Sequence, residues 1–281
     1  MNTESPPLDD LDVLQDLVRL AGHRELLPRF KQIGFSIKAD GSVVTEADFA
    51  VDDFLRTELY KRWPNINFLS EEMSESEQQA MLDDDSKSFW CIDPLDGTSN
   101  FVAGVPVFSI CISLITAGQP VFGLIYDPNQ DECFYATRGH GAWLNGMRLK
   151  PRELEFGMER AIALVDFKRL PGPLREKLVA NPPYASQRNV GSCALEWAWM
   201  AARRGHLYLH GGQKLWDMAA GVLILEEAGG YSETLLGEPT FKSSLIPRSV
   251  IASPYESLFS TWRDWLRDNN ACDPQINSFA R

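Results

Sequence analysis

The sequence is short of basic residues, and this shortage limits the ligands that its surface can attract. Its 281 residues include 27 Lys and Arg against 39 Asp and Glu, which gives a formal net charge of −12. Nucleic acid binding without sequence preference requires clustered cations, so we expect no nucleic acid partner. Small anionic substrates are compatible with this charge, because bound cations can reverse the local field.

The sequence also lacks paired cysteines and long apolar segments. The cysteines are odd in number and form no CxxC motif: they are Cys91, Cys111, Cys133, Cys193 and Cys272. This usage predicts reduced thiols in a cytoplasmic protein. No apolar run approaches the length of a membrane span, and the polar residues 1–7 do not resemble a signal peptide. We therefore expect no membrane association.

Regular patterns of apolar residues fill most of the chain. Helical spacing predicts helices over residues 8–24, 45–62, 173–179, 192–203, 215–228 and 255–269. Short apolar runs predict strands over residues 66–69, 89–92, 107–116, 121–126, 133–137, 161–165, 206–210 and 249–252. The order of these elements predicts an α+β fold in which helices and sheets form stacked layers.

A change of composition near residues 151–160 divides the chain. We predict an N-terminal α+β subdomain at 9–155 that carries a metal site, and a C-terminal α/β subdomain at 156–270 that completes it. Residues 1–8 and 271–281 are expected to be flexible tails.

The most informative stretch follows the strand at 89–92. Asp93 and Asp96 lie three residues apart around Pro94, and Gly97 and Thr98 come directly after them. Two close carboxylates repel each other, whereas a hard cation such as Mg²⁺ is stabilised by them. The backbone N–H groups of Gly97 and Thr98 and the Thr98 hydroxyl suit a phosphate group. The stretch therefore predicts a metal-dependent site for a phosphate ester.

Further acids lie at the ends of other predicted elements. Glu71 and Glu72 follow one strand, Asp217 lies in the first turn of a helix, and Asp48 completes a capping box with Thr45. Each acid also has a purely structural explanation, as a solvated turn, a helix cap or a partner of the helix dipole. Apolar strands that direct several acids to chain ends favour a ligand site instead.

These segments resemble the signature motifs of the inositol monophosphatase family, a magnesium-dependent, lithium-sensitive superfamily of sugar phosphatases. The resemblance covers residues 11–252 and is carried by Glu71-Glu72, by the run from Asp93 to Phe101 and by Trp216-Asp217-Met218-Ala219-Ala220-Gly221. It implies a layered αβαβα fold with two sheets between pairs of helices. Family members are commonly homodimers, so the resemblance also implies a homodimer.

The resemblance assigns a role to each residue of the metal site. Glu71, Asp93 and the carbonyl of Leu95 would hold a first Mg²⁺, and Asp93, Asp96 and Asp217 would hold a second. Glu72 would lie near a third, weaker ion. Asp48 and Thr98 would together orient and deprotonate the attacking water, while Gly97 and Thr98 would bind the phosphate. Lys38 would reach the metal or phosphate region.

The substrate side departs from the family pattern. Gly191-Ser192-Cys193 matches the family segment that contacts the sugar ring, but position 210 carries His where inositol phosphatases usually have a ring-binding Glu. His210 is therefore either a substrate contact or a solvent-facing histidine at a strand end. The loop from Lys38 to Ser42 is similar to that of relatives acting on histidinol phosphate or phosphoadenosine phosphate.

These observations predict a Mg²⁺-dependent phosphomonoesterase for a small phosphorylated metabolite such as inositol 1-phosphate. Other possible substrates are a 3′(2′),5′-bisphosphate nucleotide, histidinol phosphate and fructose bisphosphate. An alternative from another class is a regulatory binding protein that retains the fold. The complete set of acids favours the enzyme.

Overall fold

The computed structural model describes residues 10–32, 34–38, 41, 43–84 and 87–269. Both predicted tails lie outside these ranges, and so do Cys272 and three members of the loop after Lys38, namely Ala39, Asp40 and Ser42. The subdomain boundary near residue 155 stays a prediction.

The described residues form eight α-helices, of which six agree closely with the helices predicted from the spacing of apolar residues. They are α1 (Leu11–Ala21), α2 (Glu46–Arg62), α3 (Glu75–Leu82), α4 (Thr98–Ala103), α5 (Gly172–Ala180), α6 (Cys193–Ala201), α7 (Leu215–Glu227) and α8 (Glu256–Asp268). A π-helical turn at Gly22–Leu26 extends α1. Thr45 and Asp48 form the predicted capping box of α2, and Ser192 caps α6 by accepting a hydrogen bond from the Leu195 amide. Among the described residues, no helix is both long and apolar enough to cross a membrane.

The strands form a hairpin and two larger sheets. They are β1 (Phe35–Ile37), β2 (Val43–Thr45), β3 (Asn67–Ser70), β4 (Phe89–Asp96), β5 (Ser109–Thr116), β6 (Gln119–Asp127), β7 (Glu132–Thr137), β8 (Gly141–Leu144), β9 (Met147–Leu149), β10 (Ile162–Val165), β11 (Ser186–Arg188), β12 (Leu207–Gln213), β13 (Tyr231–Glu233) and β14 (Arg248–Ser253). β1 and β2 pair with each other, the large sheet runs β3-β4-β5-β6-β7-β8-β9, and the small sheet runs β11-β10-β12-β14-β13.

Five layers result from packing these elements, which confirms the predicted αβαβα fold. Helices α1 and α2 cover one face of the large sheet, and α7, packed beside α6, crosses the other face. The small sheet lies against α6, and α8 covers its far side together with α5. A shared core joins Phe134 of the large sheet, Trp197 of α6, Leu223 of α7 and Tyr208 of the small sheet.

Close contact between α7 and the large sheet places the acid of α7 near β4. A Cβ atom at Gly123 of β6 would lie 2.8 Å from the Ala220 Cα of α7, so only glycine allows this approach. Gly221, one residue further along α7, likewise leaves room for the Trp197 side chain of α6. These contacts fix the start of α7, where Asp217 lies, against the end of β4.

Two predicted strand ends differ from the structure. β4 continues beyond Asp93 to Asp96, with a shift in its pairing to β5 between these residues. β12 does not end at Gly211 but runs to Gln213 through an irregular stretch after His210. A Cβ atom at Gly211 would lie 1.7 Å from the Arg169 carbonyl oxygen, so this glycine permits close packing and does not end the strand.

Candidate active site

The end of β4 turns two buried carboxylates in different directions. Asp93 is 2% exposed, and its Oδ1 accepts a hydrogen bond from the Leu95 amide at 3.0 Å. Asp96 instead accepts from the Cys193 amide at 3.1 Å, from the Ala194 amide at 2.9 Å and from the Ser192 hydroxyl. The chain thus separates the acids by leaving the sheet pairing at Pro94, and Asp96 joins β4 to the start of α6.

Gly97 and Thr98 form a sharp turn after these acids. Gly97 has φ +93°, and a Cβ atom there would lie 2.9 Å from the Val107 carbonyl oxygen. Thr98 then begins α4, and its hydroxyl lies 2.9 Å from the Leu95 carbonyl oxygen. This close turn requires glycine and brings the Thr98 hydroxyl back beside the Asp93 loop.

The Thr98 hydroxyl also meets Asp48 from another part of the chain. Asp48 Oδ1 lies 3.2 Å from Thr98 Oγ1, while Oδ2 accepts from the Thr45 amide at 2.8 Å and the Thr45 hydroxyl at 2.6 Å. Burial raises the pKa of Asp48 to about 6, and the hydrogen bonds from Thr45 moderate this rise. A carboxylate with a pKa near neutrality can accept and release a proton efficiently.

Lys38 interacts with the two glutamates that follow β3. Its Nζ lies 2.7 Å from Glu72 Oε1 and 3.3 Å from Glu71 Oε1. Burial alone would lower the pKa of Lys38, but the negative charge of Glu71 and the hydrogen bond to Glu72 raise it. Burial raises the pKa of Glu72 to about 7, against the effect of Lys38. The structure therefore places Lys38 beside the two acids that follow β3.

Asp217 lies at the start of α7 among other acids. Its Oδ2 accepts a hydrogen bond from the Lys214 amide at 2.9 Å. Burial, followed by the charges of Asp96 and Glu71, raises the pKa of Asp217 to about 8. Burial raises the pKa of Asp93 as well, and Glu71, Asp96, Asp217 and Asp48 add to that effect, in this order. Acids from β3, β4, α2 and α7 therefore share one electrostatic environment.

These acids supply the hard oxygen donors and the negative charge that Mg²⁺ requires. In the described part of the chain, however, no three His, Cys, Asp or Glu side chains are already placed around a common ion position. Glu71 is paired with Lys38, and Asp96 is bound by Ser192 and two amides. The donor types and their mutual repulsion fit a divalent ion, while the exact set of ligands stays a prediction.

The predicted substrate segment lies beside this acidic region. Asn100 of α4 donates hydrogen bonds to the Val107 carbonyl at 2.8 Å and the Val190 carbonyl at 2.7 Å, which ties the 190–193 loop to the Gly97 turn. Cys193 Sγ lies 3.6 Å from His210 Nε2. The structure thus brings Gly191, Ser192, Cys193 and His210 together with Asp96.

The interpretation of His210 as a solvent-facing residue is wrong. His210 is buried, its Nδ1 accepts a hydrogen bond from the Gly212 amide at 3.1 Å, and its Nε2 lies 3.4 Å from Asp166 Oδ2. The cause is the continuation of β12 beyond His210, which keeps the imidazole inside the fold.

Sequence reasoning missed two acids near this segment. Asp166 follows the apolar strand β10, in the same way that Asp93 follows apolar residues of β4. Glu196 lies in the apolar helix α6 and accepts a hydrogen bond from the Val190 amide at 3.1 Å; burial raises its pKa to about 8. The sequence did contain a signal for each residue. Asp166 is an acid directly after an apolar strand, and Glu196 is the only acid in an apolar helix.

Comparison with known proteins identifies related chains. The profile of the inositol monophosphatase family matches residues 11–265. An inositol-1-monophosphatase of Mesorhizobium japonicum is 36% identical over 213 residues, covering 72% of this chain and 76% of the relative. The Nus factor SuhB of Escherichia coli K12 is 31% identical over 245 residues, covering 83% of this chain and 87% of the relative.

A solved relative has been captured with two different phosphate esters. Staphylococcus aureus inositol monophosphatase II with inositol monophosphate bound has a TM-score of 0.78 and 28% identity, covering 94% of this chain and 97% of its own. The same enzyme with 2′-AMP bound has a TM-score of 0.75 and 28% identity, covering 90% and 92%.

Proposed function

Since the chain belongs to the inositol monophosphatase family, we propose that it is a Mg²⁺-dependent phosphomonoesterase acting on a small phosphorylated metabolite. The observation that carries this proposal is the contact between Asp48 and Thr98, at 3.2 Å, beside the buried acids Asp93 and Asp217. A base, a hydroxyl and a group of metal-binding carboxylates are the parts that phosphate ester hydrolysis by water requires.

Glu71, Asp93 and the Leu95 carbonyl would hold one Mg²⁺, and Asp93, Asp96 and Asp217 a second, with Glu72 near a third. Bound Mg²⁺ would supply charge stabilisation for the phosphate and leaving oxygen and would acidify a water molecule.

The chain's own residues then position the reacting groups. Thr98 orients the attacking water through its hydroxyl, and Asp48 receives the proton through Thr98. The amides of Gly97 and Thr98 bind phosphate oxygens. Glu71 and Lys38 complete the wall of the site on the β3 side. No Ser or Cys nucleophile is needed for this reaction.

The 190–193 loop and the His210 region would receive the alcohol part of the substrate. The S. aureus relative accommodates both inositol monophosphate and 2′-AMP, so family membership leaves the substrate open. Inositol 1-phosphate, histidinol phosphate, a 3′(2′),5′-bisphosphate nucleotide and fructose bisphosphate are the candidates. We also propose that the protein is cytoplasmic and that it forms a homodimer. Light scattering of the purified protein tests the homodimer.

A regulatory role is the second candidate, because the SuhB relative is named as a Nus factor. The complete set Asp48, Glu71, Asp93, Asp96, Thr98 and Asp217 favours catalysis over a purely regulatory protein.

A substrate panel tests the proposed function directly. Purified protein is assayed for phosphate release from each candidate ester with Mg²⁺ and with a chelator, and kcat/KM values are compared. We expect Mg²⁺-dependent turnover of at least one ester. Absence of phosphate release from all of them with Mg²⁺ would refute the enzymatic proposal.

A further inference from the structure

Asp166 and His210 lie side by side in the small sheet, where Asp166 directly follows β10 and His210 lies in β12 just before the irregular stretch of that strand. β10 and β12 are parallel, with Val165 opposite Leu209, and the Asp166 amide donates to the Leu209 carbonyl at 3.2 Å. Asp166, which follows Val165, therefore lies next to His210, which follows Leu209. The carboxyl ends of parallel strands are where layered folds commonly bind ligands.

Hydrogen bonding determines which way the imidazole presents its hydrogen. Because the Gly212 amide donates to Nδ1 at 3.1 Å, the neutral ring carries its hydrogen on Nε2. Nε2 lies 3.4 Å from Asp166 Oδ2 and 3.6 Å from Cys193 Sγ. His210 is thus oriented as a donor toward Asp166.

Asp166 is the accessible member of this pair. The Asp166 side chain is 17% exposed, whereas that of His210 is 4% exposed. Asp166 Oδ1 accepts from the Lys168 amide at 2.9 Å and from Asn189 Nδ2 at 3.3 Å. Oδ2 has only the long contact to His210 among the described residues, so it retains a lone pair for a donor on a ligand.

A continuous set of contacts connects Asp166 with the phosphate side of the site. Asp96 accepts from the Cys193 amide at 3.1 Å, the Cys193 side chain contacts His210, and His210 contacts Asp166. An ester whose phosphate lies beside Gly97 and Thr98 would extend its alcohol part along this line.

We propose that Asp166, held by His210, accepts a hydrogen bond from the alcohol part of the substrate and so selects esters that carry a hydroxyl or ammonium group there. This rests on the proposed function and deepens it. The carboxylate compensates for the Glu that family inositol phosphatases have at position 210, and His210 acts as a positioning residue. A second phosphate at this place is repelled by Asp166, which disfavours bisphosphate substrates.

The test compares Asp166→Asn, His210→Gln and wild type on several esters. Inositol 1-phosphate supplies hydroxyl donors, histidinol phosphate supplies an ammonium group, fructose bisphosphate supplies a second phosphate, and 4-nitrophenyl phosphate supplies none of these. Asp131→Asn is the control, because Asp131 also contacts a nitrogen-bearing side chain, that of Arg19, but lies in the turn between β6 and β7 of the large sheet.

We expect Asp166→Asn to lower kcat/KM for the preferred donor-bearing ester by roughly tenfold to a hundredfold, mainly through KM. Turnover of 4-nitrophenyl phosphate should be unchanged, and selectivity against fructose bisphosphate should weaken. His210→Gln should give the same pattern with a smaller loss. The donor arm with the larger loss identifies whether a hydroxyl or an ammonium group is bound.

Other results would overturn the inference. One is that Asp166→Asn keeps the wild-type preference among the esters. Another is that its kcat/KM falls equally for 4-nitrophenyl phosphate, and a third is that only His210→Gln changes the preference. If wild type cleaves 4-nitrophenyl phosphate and both variants keep the ester preference of wild type, the inference fails and the phosphatase proposal survives. If wild type cleaves no ester, both fail together.

Discussion

Charge is arranged in opposite ways around Asp93 and around Asp166. The carboxylates near Asp93 are buried beside one another, and burial together with mutual repulsion raises the pKa of Asp93 and Asp217. Burial would raise the pKa of Asp166 too, but the hydrogen bond from His210 lowers it below its ordinary value. One region concentrates like charge, and the other pairs an acid with its own partner.

This difference separates the reaction from the choice of substrate. Like charges buried together are unfavourable until a cation joins them, so the Asp93 region is suited to a metal-dependent step common to many phosphate esters. The Asp166 region is already balanced by side chains of the chain itself. A change of one side chain there can alter the ligand that fits without removing the metal site.

The largest expected effect is at Asp93. Asp93→Asn removes the acid shared by both predicted ions, so we expect kcat with the preferred ester to fall by about 10³-fold or more. The Tm of the metal-free protein should not fall, because the change also removes a buried repelling charge. Steady-state kinetics and thermal unfolding without Mg²⁺ measure these effects.

Asp127 provides a matched control for this variant. Like Asp93 it is 2% exposed, and it accepts a hydrogen bond from the amide two residues further on, that of Asn129, at 2.8 Å. Asp127→Asn should keep activity close to that of wild type. Similar losses in both variants would show that Asp93 acts through stability and not through the metal.

Thr98 should give the second largest effect. Thr98→Ala removes the hydroxyl between Asp48 and the attacking water, so kcat should fall by roughly 10²-fold with little change in KM. Thr98→Ser keeps a hydroxyl and should recover most of the rate. Full activity of Thr98→Ala would eliminate the Asp48–Thr98 pair as the route of the proton.

A smaller effect, on stability, is expected at Glu196 behind the substrate loop. Its pKa is about 8 in the folded protein because of burial, against 4.5 as its ordinary value. Folding therefore favours the protonated form, and this contribution to stability is lost as pH rises from about 4.5 through about 8. The slope reaches roughly 1.4 kcal/mol per pH unit within that window.

Glu196→Gln should remove this component of the pH dependence. Denaturant unfolding at several pH values between 5 and 8 measures the free energy of unfolding of wild type and variant. The other buried acids contribute equally to both proteins, so the difference between the two curves reports Glu196 alone. The exposed Glu176→Gln on α5 serves as the control. Parallel curves for wild type and Glu196→Gln would contradict the raised pKa.

The sequence predicted the layered fold and most elements because the signals are local. The Thr45–Asp48 capping box and the Ser192 cap involve residues within a few positions of each other, and the structure has both. The β1–β2 hairpin was missed because its strands have three residues each, too few for a recognisable alternation. Gly211 was predicted to end its strand, but glycine is required there because the Arg169 carbonyl packs against it. Arg169 is distant in the sequence, so the residues around Gly211 do not indicate this contact.

The Asp93-Pro94-Leu95-Asp96-Gly97-Thr98 run by itself determined the chemical character of the site. Hard oxygen donors, a glycine turn and a hydroxyl are properties of residue type and short spacing, and they hold wherever the segment lies. Only the tertiary structure decided that His210 meets Asp166, 44 residues earlier, because the parallel pairing of β10 with β12 sets that contact. Strand pairing depends on the packing of whole layers, so it cannot be read from either residue's neighbours in the sequence.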